Sequence, residues 1–319
     1  MSRVSTLQQS QVLLQHMMDN SAKVVDAQRQ VDTGYSAQFY KDMFQDVNSL
    51  TGAQSLLAKL EQHKENDGLT QSNLASYDQA IGGMETAGTD IKEAVMGAIN
   101  TSSALGFDAA IEGAFEASLS FLNSQTSAGY LFSGSKTDTS PVNITDFSDL
   151  LTALEPPTDI FDNNTMKKTV RIDENRTLEV GILAEDVGLE IMTALQRIAL
   201  WQAGTIPATN PIPTGPAGPA STPLTPEDQA FLLGEVANLE NLVNNISEIR
   251  GENGLNQKTV ISTIESLNVQ IDQTEVFIGD IQDVDAAEAI SNLNQRNFAL
   301  EASYNVLSQV NRVSLLNFL

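Results

Sequence analysis

Residues 260–281 read VISTIESLNVQIDQTEVFIGDI. Val260, Ile264, Leu267, Ile271, Ile278 and Ile281 are spaced 4, 3, 4, 7 and 3, with Thr274 filling the vacant place. A strand would alternate every second residue, whereas this 4–3 spacing keeps one stripe of an α-helix facing a neighbouring helix. The stretch contains no proline, so nothing interrupts the helix. The same periodicity recurs at Leu74, Tyr77, Ile81, Met84, Ile91 and Val95. These two inner helices read as bundle seams closed within the subunit.

Both chain ends repeat the pattern. Val4, Leu7, Leu14, Met18 and Val25 are spaced 3, 7, 4 and 7, and Ile290, Leu293, Leu300, Tyr304 and Leu307 follow a heptad with Asn297 and Asn311 in register. An Asn in a seam costs stability and fixes alignment. Beyond the second seam, Val306, Val310 and Val313 add another apolar stripe, and the chain closes on Leu315, Leu316, Phe318 and Leu319. A helix apolar over most of its circumference needs neighbours on several sides. One partner helix covers only part of it, so the ends are expected to meet other chains.

The middle differs. Residues 130–135 (YLFSGS) read as a strand entering a glycine turn, and 155–166, with Pro156 and Pro157, read as loop. Thr169–Ile172 and Thr177–Ile182 alternate around residues 173–176 (DENR) and predict a β-hairpin. A helix is expected from about Asp186 to Trp201. Residues 207–226 hold seven of the ten prolines and read as an exposed loop. The expected fold is mainly α: an elongated antiparallel helical bundle, or coiled coil, with paired N- and C-terminal helices and a small β-containing (α+β) insertion at its tip.

The 319 residues carry a formal charge of −24. Residues 1–40 are neutral and 284–319 carry −1, so the middle carries −23. Such a chain suits neither nucleic acid nor an anionic membrane, both of which call for clustered Lys and Arg. There is no cysteine for a disulfide, thiolate ligand or thiol nucleophile. The two histidines, His16 and His63, form no i, i+4 pair, so no zinc-type site is expected. Acidic clusters such as Asp159 with Asp162 and Asp283 with Asp285 do not follow the calcium-loop pattern. Gly82-Gly83 and Gly251–Gly254 do not continue as phosphate loops. No catalytic residue, metal site or cofactor is expected, and no enzyme. The N-terminus lacks the apolar run of a cleaved signal, so export would take another route.

Five segments resemble a known family. Residues 283–293 (DVDAAEAISNL), 299–304 (ALEASY) and 314–319 (SLLNFL) resemble the flagellin C-terminal motif. Arg3-Val4-Ser5-Thr6 and residues 130–141 (YLFSGSKTDTSP) are similar to the flagellar hook–filament junction branch, the hook-associated protein 3 family. The family's step after the first helix survives here only as Thr33-Gly34. The resemblance implies a non-enzymatic, extracellular subunit of the bacterial flagellum, exported through the type III route without a cleaved signal. It implies a terminal coiled-coil domain lining the inner tube (1–42 plus 284–319), a helical rod domain (43–140 plus 227–283) and an outer β-containing insertion with the Pro-rich loop (141–226). The implied partners are a hook-side junction protein (hook-associated protein 1), flagellin, further copies of the chain in a ring, and a cytosolic export chaperone. The expected assembly residues are Val4, Leu7, Leu14, Met18, Ile290, Leu293, Leu300, Tyr304, Leu307, Leu315, Leu316 and Phe318. A filament-forming flagellin is the alternative, and a secreted type III effector or tip protein the remoter one.

Overall fold

The computed structural model describes residues 2–36, 46–173, 176–204 and 223–316, with the side chains of 2–7, 9, 10 and 310–316 excepted. Most of the Pro-rich stretch and the segment after Ser36 lie outside the described residues. The helices are α1 (Ser2–Thr33), α2 (Val47–Thr101), α3 (Phe107–Leu122), α4 (Ala184–Gln202), α5 (Pro226–Gln282) and α6 (Ala286–Leu316). Two antiparallel ladders interrupt them: β1 (Gln125–Thr126) with β2 (Gly129–Tyr130), and β3 (Thr169–Asp173) with β4 (Arg176–Glu179). The chain is thus mainly α with a small β-containing insertion. It divides into two compact units, residues 62–267 and residues 1–61 with 268–319.

In the 62–267 unit, Leu74, Tyr77, Ile81, Met84, Ile91 and Val95 are all buried, as their heptad spacing requires. Leu74 accepts hydrogen bonds at its carbonyl from Asn253 Nδ2 (2.9 Å) and Gln257 Nε2 (3.0 Å), and Arg250 reaches Asp78 (2.9 Å) and Glu85 (3.1 Å). Rising numbers on α2 therefore meet falling numbers on α5, an antiparallel pair. Two glycines of α2 permit close approaches by neighbouring side chains. A Cβ on Gly83 would lie 2.4 Å from the Phe121 ring, and one on Gly88 would lie 2.8 Å from Leu242.

The insertion does not stand apart from this core. Val142, Leu150 and Ile160, together with Val187, Ile191, Leu195 and Ile198 of α4, join the α2, α3 and α5 side chains in one buried cluster. Trp201, the sole tryptophan, stacks on Phe231 with centroids 5.7 Å apart and donates its indole N–H to Asp228 (3.0 Å). Asp228 also closes the start of α5: Thr225 donates its backbone N–H and hydroxyl to the carboxylate, and the Asp228 N–H returns a bond to Thr225 Oγ1. This reciprocal cap satisfies donors the helix cannot pair itself.

Sequence expectations and structure agree on the hairpin, where Thr169 pairs with Glu179 and a bulge falls between Arg171 and Asp173. The strand expected at 130–135 is shorter. Only Gly129–Tyr130 is extended ladder, because Leu131 and Phe132 turn into the core and Gly134 reverses the chain at φ +68°. The 155–166 stretch contains a 3₁₀ turn, Thr158–Ile160, which buries Ile160.

Met84→Ala should lower stability by about 2–5 kcal/mol by leaving a cavity. Trp201 fluorescence during urea unfolding reads this as a lower midpoint with unchanged slope.

Candidate assembly surface

The charge-poor ends form α1 and α6, and their pairing decides which side chains remain available. Asn20 Nδ2 donates to Ser303 Oγ (2.9 Å), while Tyr35 and Asp283 form an antiparallel bridge. The two helices therefore run antiparallel. At the end of α1, Gly34 takes φ +75° and its N–H returns to the Gln30 carbonyl, a left-handed helix stop open to glycine. Backbone bonds from Ser36 to Gln282 and from Val284 to Gly34 then fasten the end of α1 to the end of α5. Asp285 accepts the N–H groups of Ala287 (2.8 Å) and Glu288 (3.2 Å), which caps the start of α6.

Buried and half-buried positions on α1 include Leu13, Met17, Asn20, Val24, Ala27 and Val31, spaced 4, 3, 4, 3 and 4, with Ser21, Arg29 and Gln30 half-buried beside them. On α6 they include Ala289, Leu293, Leu300, Ser303 and Leu307, again at heptad spacing. Together these make the seam within the subunit. Its polar pair, Asn20 with Ser303, lies inside the seam and fixes the alignment of the helices.

A further set of apolar side chains is left open. Val12, Leu14, Met18 and Val25 on α1, and Ile290, Phe298, Tyr304 and Val306 on α6, are all exposed, Phe298 at 72 %. The expected assembly residues divide accordingly. Leu14, Met18, Ile290 and Tyr304 are exposed, whereas Leu293, Leu300 and Leu307 are half-buried. The side chains of Val4, Leu7, Leu315 and Leu316, and the whole of Phe318, lie outside the described residues.

Sequence reasoning missed Phe298, which belongs to neither heptad. Its signal is a large aromatic following Gln295, Arg296 and Asn297 on an otherwise polar turn. The described charged side chains of the pair keep clear of the seam: Asp19, Lys23, Asp26, Asp32, Glu288, Arg296 and Glu301 are exposed, and Arg29 is half-buried and bonds Asp26 at 3.0 Å. Among the described residues no group of three or more His, Asp or Glu side chains could hold a metal ion. No described helix is long and apolar enough to cross a membrane.

Antiparallel chain-end helices with a filled inner seam, continuous in sequence with a helical core, define a mainly helical protein whose two chain ends pair with each other. Residues 236–319 match the family model of the bacterial flagellin C-terminal helical region. Among curated proteins none matches the sequence. The same fold occurs in a chain from Vibrio parahaemolyticus described as a flagellar hook-associated protein, at 15 % identity and a TM-score of 0.58, covering 74 % of this chain and 97 % of that one. It occurs also in FlgL from Bacillus cereus, at 14 % identity and a TM-score of 0.52, covering 72 % and 98 %. Residues 236–319 are therefore similar to the flagellin C-terminal helical region, and the chain shares the fold of these two proteins.

The inner seam and the open stripe should respond differently to charge. Ala27→Asp, which places a carboxylate at a buried position, should raise amide exchange along α6 by about ten-fold or more. Phe298→Asp should leave both the exchange pattern and the thermal midpoint near wild type, within about 0.5 kcal/mol. Mass-spectrometric hydrogen exchange on the isolated subunit reads both.

Proposed function

We propose that this chain is a structural subunit of the bacterial flagellum that joins the hook side to the filament. One observation carries the reading: among the described residues, eight large apolar side chains lie exposed on a helix pair whose inner seam is already occupied. Each such side chain contributes about 1.5–3 kcal/mol when fully buried. Packing of the α1–α6 pairs of neighbouring subunits against one another removes this surface from water. The near-neutral charge of both ends supports the same reading, because buried unpaired charges would oppose it.

In this arrangement residues 1–42 with 284–319 form the inner-tube layer. Residues 43–140 with 227–283 form the helical body, and 141–226 contribute its outer β-containing part. The −23 carried by the intervening residues keeps that body solvated outside the cell. The partners are copies of the chain in a ring, a hook-side junction protein and flagellin. Before export, a cytosolic chaperone covers the same apolar stripe. The proposed role is structural and involves no catalytic step.

The test uses cells lacking the endogenous protein, complemented with wild type or with Phe298→Asp/Tyr304→Asp. Wild type should appear at the base of each filament. The double variant should be secreted and folded, with its Trp201 emission unchanged, yet should not be retained on the flagellum. Retention of the variant at wild-type levels would contradict the proposal. Wild-type protein distributed along the whole filament would instead support the flagellin reading.

A further inference from the structure

The α2 seam changes character just inside the 62–267 unit. Asp67, Leu74, Ile81, Gly88 and Val95 share one heptad position, and His63, Thr70, Tyr77, Met84 and Ile91 share the other. Asp67 is 0 % exposed, and neither of its carboxylate oxygens has a hydrogen-bond partner among the described residues. A carboxylate buried without partners is costly in its ionised form.

Two hydroxyls of this layer are already engaged. The buried hydroxyl of Thr70 donates to the Asn66 carbonyl (2.9 Å), and that of Thr263 donates to the Thr259 carbonyl (2.9 Å). The pairing of Leu74 with Asn253 and Gln257 places Asp67, two turns earlier on α2, opposite the stretch of α5 around Val260 and Thr263. Charged residues bordering that stretch, Lys258 and Glu265, are exposed. On the hairpin Arg171, Asp173, Arg176 and Glu179 are exposed as well. Burial pushes the Asp67 carboxyl up to about 6, against the pull of His63 and with a further push from Asp173.

Asp173 ends β3, and the hairpin rests on a small support. Ile172 and Val180 pack with Leu74 and Val260 in a cluster separate from the main core. Asn256 Nδ2 adds a bond to the Glu179 carbonyl (3.2 Å). We propose that the His63–Asp67–Thr70 layer is a proton-operated latch for the β3–β4 hairpin. With Asp67 neutral the layer stays dry and the hairpin remains seated on Leu74 and Val260. When Asp67 releases its proton to solvent, the carboxylate recruits water and the hairpin loosens. The seated state holds the proton more tightly than the open state, so opening is favoured as pH rises.

Hydrogen exchange on the full-length chain, corrected for intrinsic rates, tests this on peptides covering 168–182. Wild-type protection should fall by about ten-fold or more between about pH 5 and pH 7.5, a span that brackets the Asp67 titration. Asp67→Asn, and Asp67→Leu should the amide variant fold poorly, should remain protected throughout. His63→Gln should keep the fall but move it to higher pH, because the pull of His63 on the Asp67 carboxyl is gone. Peptides of α3 should stay flat in every variant, which separates the latch from general destabilisation. Parallel wild-type and Asp67→Asn profiles, or wild-type protection unchanged with pH, would overturn the proposal.

Discussion

Two helices packed side by side can each hide only one stripe from the solvent. In this protein α1 and α6 hide the stripe containing Leu13, Met17, Val24 and Ala27 on one side and Ala289, Leu293, Leu300 and Leu307 on the other. Their polar pair, Asn20 with Ser303, permits one alignment. The backbone staple between Gly34–Ser36 and Gln282–Val284 then holds that alignment at one end. Once the seam is set, Leu14, Met18, Val25, Phe298 and Tyr304 have no place inside the pair. The open apolar stripe follows from the geometry of a two-helix seam with more apolar residues than one seam can hold.

The other unit meets its burial requirement differently. α2 and α5 share a long heptad seam, and α3, α4 and the segments around Leu131, Val142 and Leu150 close over it. Its aromatic centre is tied to a helix cap through Trp201 and Asp228. Glu235 is also buried, and burial raises its carboxyl while the salt bridge to Arg197 holds it down. Asp67 lacks such a cation in direct contact, which makes its layer the exception along the α2 seam.

How far the sequence is legible depends on how many stripes each helix has. The inner seams through Met84 and Val260 are legible from spacing alone, because the spaced residues Tyr77, Ile81, Met84, Val260, Leu267 and Ile271 are all buried. At the ends the spacing of Val4, Leu7, Leu14, Met18 and Val25 is a true heptad, yet Leu14, Met18 and Val25 face solvent. The seam α1 uses within the subunit, Leu13, Met17, Val24 and Val31 with Asn20 and Ala27, runs one residue off that heptad, and spacing alone does not say which of two adjacent apolar stripes meets α6. Asp67 is invisible to spacing for another reason: a carboxylate at a heptad position reads as surface until its burial is seen. The glycine contacts at Gly83 and Gly88 likewise depend on Phe121 and Leu242 arriving from distant parts of the chain.

The account rests on the open stripe being covered by neighbouring subunits, and side-chain footprinting measures that directly. Hydroxyl-radical oxidation of the free subunit and of intact flagella carrying it compares the same residues in both states. The account predicts that Leu14, Met18, Phe298 and Tyr304 oxidise readily in the free subunit and become protected by about ten-fold or more on assembly, as buried residues are. Exposed residues of the other unit, such as Leu105 and Leu154, should remain reactive in both states. Equal oxidation of Phe298 and Tyr304 in the free and assembled states, with protection confined to the 62–267 unit, would contradict it.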